Sequence, residues 1–252
     1  IAYWQVKSDH RTIDLIATET DVTKLIPAPF TEATLRNKGL HHIGPDGNVW
    51  TKDGKAWIGG NPFPDAKTAE ELLLANALNS QYYDAVAYAT REWDTTAEGE
   101  IDYIYDYLFV IYLTVGRITI DPKPYMPGRE TDLRINSFLA TSPQDRNGTG
   151  SLEVWAYDQR KIPTANAYSP TTKRIRTIPA YARFEPALPG AAWFASDAGD
   201  PVHTWGDFQI VGQGPFLAAT HGNCHFGYPN WQVPTCGGKT GKKYFRTFME
   251  LS

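Results

Sequence analysis

Apolar and polar positions alternate most clearly in IDYIYDYLF (101–109), where Ile101, Tyr103, Tyr105, Tyr107 and Phe109 hold one parity and Asp102 and Asp106 the other. Successive side chains of a strand point to opposite faces, so this segment predicts a strand with one aromatic face. Stretches of β-branched and aromatic residues predict further strands at Asp132–Ala140, Leu152–Tyr157, Lys173–Ile178, Asp207–Val211, Phe216–Thr220 and Lys243–Met249, with turns such as RNGTG between them. Helical patterning is confined to the chain before residue 94. Thr68 and Glu71 have the spacing of a capping box, and Leu72, Leu73, Leu74, Ala75, Ala77 and Leu78 follow. Together they predict one long helix over 66–93 with Ala75, Leu78, Tyr82, Val86 and Trp93 along its packed stripe. A shorter helix is predicted at Thr31–Lys38, stopped by Gly39, and GPDGN (44–48) and KDGK (52–55) predict small hairpins.

These elements describe a single mainly-β (α+β) domain over 1–252. It has an extended and hairpin segment to residue 65, the helix 66–93, and mostly strands from 100 to 252. A curved antiparallel sheet with the long helix on one face fits that order. A chain of 252 residues buries enough surface to make its core without a metal or a disulfide. The run from Tyr103 to Ile120 is broken by Asp106 and Arg117 and is rich in strand formers, so it predicts no transmembrane helix.

Charge changes the picture little. The formal net charge of −4 excludes a whole-surface polyanion binder. In YSPTTKRIRTIPA (168–180), Lys173, Arg174 and Arg176 make a basic stripe, with Arg174 and Arg176 on one strand face and Ile175 and Thr177 on the other. That is the pattern of a half-exposed strand, with a phosphate or acidic-partner site as the alternative. No stacking framework of a single-strand binder accompanies it, so no nucleic-acid partner is expected.

Aromatic content changes it more: 8 Trp, 14 Tyr and 11 Phe are more than one sheet–helix interface requires. Tyr103, Tyr105, Tyr107, Phe109, Trp155, Trp193, Trp205 and Phe208 are therefore the candidate lining of a cavity for an apolar ligand, the alternative being ordinary core.

Three segments carry a family resemblance. VWAYDQR…YSPTTKRIRTIPA resembles the tryptophan–tyrosine strand, proline turn and paired-arginine strand of periplasmic lipoprotein carriers of the LolA/LolB-like fold. FASDAGDPVHTWGDFQIVGQGPFLAA and DGKAWIGGNPFPDAKTAEELLLAN look like segments of the bacterial domain-of-unknown-function family 1329, which is described as outer-membrane lipoprotein-sorting-like. The resemblance covers roughly residues 45–220. It implies an exported periplasmic protein with an incomplete, strongly curved antiparallel barrel, helices on its concave side, and a cavity of the kind that receives acyl chains in the better-understood carriers. No leader precedes Ile1 in this sequence, so any export signal is expected to have been removed or never to have been present.

Other chemistry is sparse. Cys224 and Cys236 are the two cysteines, and their close spacing suits a disulfide in an oxidising compartment, worth about 2–3 kcal/mol by chain entropy. Inert thiols, or a metal site with His221 and His225, are the alternatives, although the spacing matches no common zinc motif. Ser196, His203 and the aspartates Asp197, Asp200 and Asp207 lie close in sequence without a nucleophile elbow. GGKTGKK (237–243) lacks the Walker spacing. No catalytic residue, metal or cofactor is therefore assigned.

The sequence is best read as a non-enzymatic periplasmic carrier for a hydrophobic ligand such as a lipid, acyl chain or sterol-like compound, with Lys173, Arg174 and Arg176 at its rim. The rivals are an adaptor of an envelope transport complex with a filled barrel, and a metal-dependent enzyme using His221 and His225.

Overall fold

In the computed structural model, residues 26–79, 82–95, 101–186, 194, 199–204 and 206–214 are described, 93–95 and 101–102 by their backbone alone. The dominant element is a six-stranded antiparallel sheet in which every strand pairs with its neighbours in sequence: β3 (Ala85–Thr95), β4 (Ile101–Leu113), β5 (Asp132–Ser142), β6 (Gly150–Ala156), β7 (Thr164–Ser169) and β8 (Arg174–Ile178). β4 forms where the alternating segment predicted it and runs on to Leu113. A separate hairpin joins β1 (His41–Ile43) to β2 (Val49–Thr51) through the GPDGN turn, closed by Gly44 N donating to Asn48 O at 2.8 Å.

The sheet is mainly β and antiparallel as expected, but it does not close into a barrel. Its order ends at β3 on one side and β8 on the other, with no further strand paired to either among the described residues.

The expected helix over 66–93 is corrected. Its capping box forms as predicted, with the helix beginning at Ala69: Glu71 N donates to Thr68 Oγ1 at 3.2 Å, and Thr68 N donates to Glu71 Oε2 at 3.1 Å. The helix, α2 (Ala69–Asn79), nevertheless stops at Asn79, and residues 85–95 are strand β3. Alanine favours helices in isolation, but β4 offers this stretch a ladder running from Ala85↔Tyr112 to Thr95↔Ile101, and tertiary pairing outweighs local preference. Tyr82 is accordingly exposed instead of lying on a helical stripe. The other helix, α1 (Ala28–Asn37), begins three residues before the predicted start, with Pro27 at its cap.

Two further differences concern strands. Thr164–Ser169, predicted as loop, is strand β7 between β6 and β8. Residues 207–211, predicted as strand, are exposed and outside any regular element. The predicted strands at Phe216–Thr220 and Lys243–Met249 lie outside the described residues.

The main core sits at one end of the sheet. Leu74 and Leu78 of α2 pack there with Val49, Trp57, Leu113, Val115, Leu133, Tyr157 and Val202. Leu113 ends β4 and Leu133 lies near the start of β5, so α2 caps that end and does not lie along the strands. At eleven residues it is only about 16 Å long, and its buried side consists of Leu74, Ala75 and Leu78. Tyr157 ties the cap to the sheet: its hydroxyl donates to Val49 O and accepts from Trp57 N at 2.8 Å. Through Ile210 the described residues belong to one compact unit.

Candidate functional site: two faces of an open sheet

The strand register sorts the side chains into two faces. On the first, Tyr103, Tyr105, Tyr107 and Phe109 stand at every second position of β4. Ring centroids are 6.1 Å apart for Tyr103–Tyr105 and 5.9 Å for Tyr105–Tyr107, both stacked. Phe138 on β5 meets Tyr107 at 5.0 Å and Phe109 at 5.3 Å, and Tyr88 on β3 stacks on Phe109 at 5.3 Å. Tyr105 and Tyr107 are buried in this ladder, whereas Tyr103 is 43% exposed.

Trp155, the fifth candidate, shares this face further along. It lies opposite Arg134, whose guanidinium sits 4.2 Å over its ring, and its indole N–H donates to Glu153 Oε2 at 3.1 Å. Burial pulls the Arg134 guanidinium down to about 10, against the opposing pull of Glu153. By register Arg174 and Arg176 of β8 also belong to this face, through Arg176↔Ala167, Ala167↔Ser151 and Ser151↔Phe138. Both are exposed, as is Lys173 in the preceding turn. Three strand spacings, about 14 Å, separate β8 from Phe138.

The second face is aliphatic and open. Leu108, Leu139, Tyr168 and Ile175 occupy one cross-strand row broken only by Gly150, and Val110 and Leu152 share the next, with Ser137 between them. All six apolar residues are at least 40% exposed, and Ile175 reaches 73%. On β3 the same face shrinks to alanine, with Ala85 beside Tyr112, Ala87 beside Val110 and Ala89 beside Leu108. Arg91 and Asp106 close this alanine strip at one end as a direct cross-strand ion pair.

At the other end β4 runs into the turn Thr114–Arg117. Gly116 has φ +76° and sits against Trp57 so closely that an added Cβ would lie 2.0 Å from the ring; no other residue type fits. Arg117 follows, 1% exposed, with its guanidinium 4.9 Å from the Tyr112 ring centroid. The buried Asp84 carboxylate fixes the next three residues by accepting from the N–H groups of Ile118, Thr119 and Ile120 and from Thr119 Oγ1. Sequence reasoning missed this corner. Its signal was present in AVAYATRE (85–92), where Ala recurs with period two, but Ala there counted towards a helix.

A crevice among Phe30, Trp57, Leu78, Tyr82, Tyr83 and Ile118 has room for about one water molecule, too little for an acyl chain. Of the remaining candidates, Phe208 is 43% exposed in an irregular segment. Trp193, Trp205, Cys224, Cys236, His221, His225, Ser196 and Asp197 lie outside the described residues. His203 contacts the Gly47 carbonyl at 2.6 Å, and Asp200 pairs with Arg183 at 2.9 Å, so these two residues hold loops together. Among the described residues no group of three or more His, Cys, Asp or Glu side chains is arranged to hold a metal, and no helix is long and apolar enough to cross a membrane.

Fold and faces together define a mainly-β protein built on an open antiparallel meander. The chain belongs to the DUF1329 family, described as a protein of unknown function, which it matches over residues 2–243. No curated protein and no solved structure matches it.

Proposed function

We propose that this protein is a carrier of the bacterial envelope, related to the LolA/LolB-like lipoprotein carriers, that holds a hydrophobic molecule by burying it against its sheet. The observation that supports this most is the open row Leu108, Leu139, Tyr168 and Ile175, with Val110 and Leu152 beside it. A contiguous apolar patch of this kind on a sheet marks a contact surface. Covering it contributes about 25 cal/mol per Å² of apolar area before the cost of ordering the ligand. The contact surface therefore moves from the aromatic face expected from sequence to the aliphatic face behind it.

A periplasmic location is part of the same proposal, resting on the family resemblance and the Cys224/Cys236 pair. Lys173, Arg174 and Arg176, exposed along β8, suit an acidic partner.

The adaptor reading has one observation in its favour, the solid packing of Tyr105 and Tyr107 within the aromatic ladder. Native mass spectrometry of the protein purified from its own cells, followed by denaturing extraction, separates the two. The carrier predicts a discrete added mass that denaturation releases as an apolar compound. A bare polypeptide that co-purifies with a stable protein partner would shift the assignment to the adaptor.

A further inference from the structure

Arg117 is buried, and among the described residues no group accepts a hydrogen bond from its Nε or Nη1. Its Nη2 donates to the Asp121 carbonyl at a long 3.3 Å. The buried carboxylate of Asp84 spends its oxygens on the backbone of 118–120 and on Thr119. Asp121 turns its own carboxylate to Lys123 at the surface. A guanidinium taken out of water without an anion is costly, and two unmet donors add to that cost.

The position of this cation is informative. Tyr112, which it covers, is on the aliphatic face, and from there the strip of Ala85, Ala87 and Ala89 runs beside Val110 and Leu108. From Tyr112 to Leu108 is four residues, about 14 Å by strand rise. At the far end Asp106 already neutralises Arg91, so charge is unmet at one end of the strip only. An apolar track ending at a buried cation with free donors is complementary to an anionic head on a single hydrocarbon chain.

The geometry points to a fatty-acid site: the carboxylate binds Arg117, and the chain lies along the alanine strip of β3 against Val110 and Leu108. The carboxylate supplies the missing acceptors and the missing charge in one group. It reaches the guanidinium past the exposed turn 121–123, whose one hydrogen bond to that guanidinium is the long one to Asp121 O. This assignment rests on the apolar-ligand reading and gives it a head group.

The test is a titration of the whole protein with dodecanoate and with 1-dodecanol, the same chain without the charge, at pH 8. Wild type is expected to bind dodecanoate about tenfold or more tightly than the alcohol, since a charge-assisted pair is worth at least that factor. Arg117→Met should bring the two affinities to within about twofold by weakening dodecanoate alone. Ala87→Trp, on the exposed strip, should weaken both ligands. Equal affinities of wild type for the two ligands would overturn the head-group assignment and leave the apolar-ligand reading standing. Failure of both ligands to bind would overturn that reading itself. Unchanged binding in Ala87→Trp would overturn the placement of the chain, and this arm decides even where Arg117→Met does not fold.

Discussion

Arg91 grips Asp106 across the β3–β4 ladder through two parallel bonds, Nε to Oδ1 at 2.6 Å and Nη2 to Oδ2 at 2.8 Å. Asp106 is buried, and its carboxylate faces Arg91 directly. Arg91→Ala is expected to destabilise the protein by about 2–3 kcal/mol, because it strands a carboxylate in the sheet. Urea denaturation should show a lower midpoint at an unchanged slope. The double variant with Asp106→Asn should recover part of the loss, and a loss as large as in Arg91→Ala alone would show that the stranded charge is not the cause.

Tyr157 joins three parts of the core through one hydroxyl, since it bonds to the backbone of both Val49 and Trp57. Tyr157→Phe keeps the ring but leaves a buried carbonyl and a buried N–H unmet. Its expected cost is about 2 kcal/mol. A phenylalanine variant as stable as wild type would mean that the β1–β2 hairpin is not anchored through this residue.

Asp84 binds the three consecutive N–H groups of residues 118–120 and thereby shapes the segment that follows Arg117. Asp84→Asn replaces a charged acceptor by a neutral one whose second terminal group is itself a donor. A cost of about 3 kcal/mol is expected. Amide exchange should speed up locally at residues 118–120, and uniform acceleration across the sheet would argue against a local role.

His41 is buried on β1, and burial, with His42 adding to it, lowers its imidazole from 6.5 to about 4. The unfolded chain then binds the proton before the folded one does. This contribution to stability is complete above about pH 6.5 and is lost as pH falls towards about 4, by up to about 1.4 kcal/mol per unit. Denaturation midpoints measured between pH 7 and 4 should fall less steeply for His41→Gln. Identical slopes would remove His41 as the source.

Asp158 acts in a lower window. Hydrogen bonds from Arg160 first, and then from Asn48, hold its carboxyl well below the usual range. Its contribution is present above about pH 4 and disappears as the pH falls further. Arg160→Ala should flatten the acid limb of the stability curve below pH 4 and leave the slope between pH 5 and 7 unchanged. Because Arg160 is largely exposed, the effect at neutral pH should be small.

Sequence alone determined what depends on neighbours a few residues apart. The period of IDYIYDYLF set the aromatic face of β4, Thr68 and Glu71 set the start of α2, and Arg174 and Arg176 fell on one face of an exposed strand. Such patterns follow from strand and helix geometry. Tertiary structure decided what depends on partners far along the chain. Residues 85–95 became a strand because β4 lay beside them, although their alanines suit a helix equally well. The aromatic side chains packed against one another, and this left the aliphatic face open. The burial of Arg117 over Tyr112 also had no trace in the sequence, where the residue stood only as a charge interrupting an apolar run. Burial and the pairing of charges come from how distant segments meet, and periodicity within one segment carries no record of that.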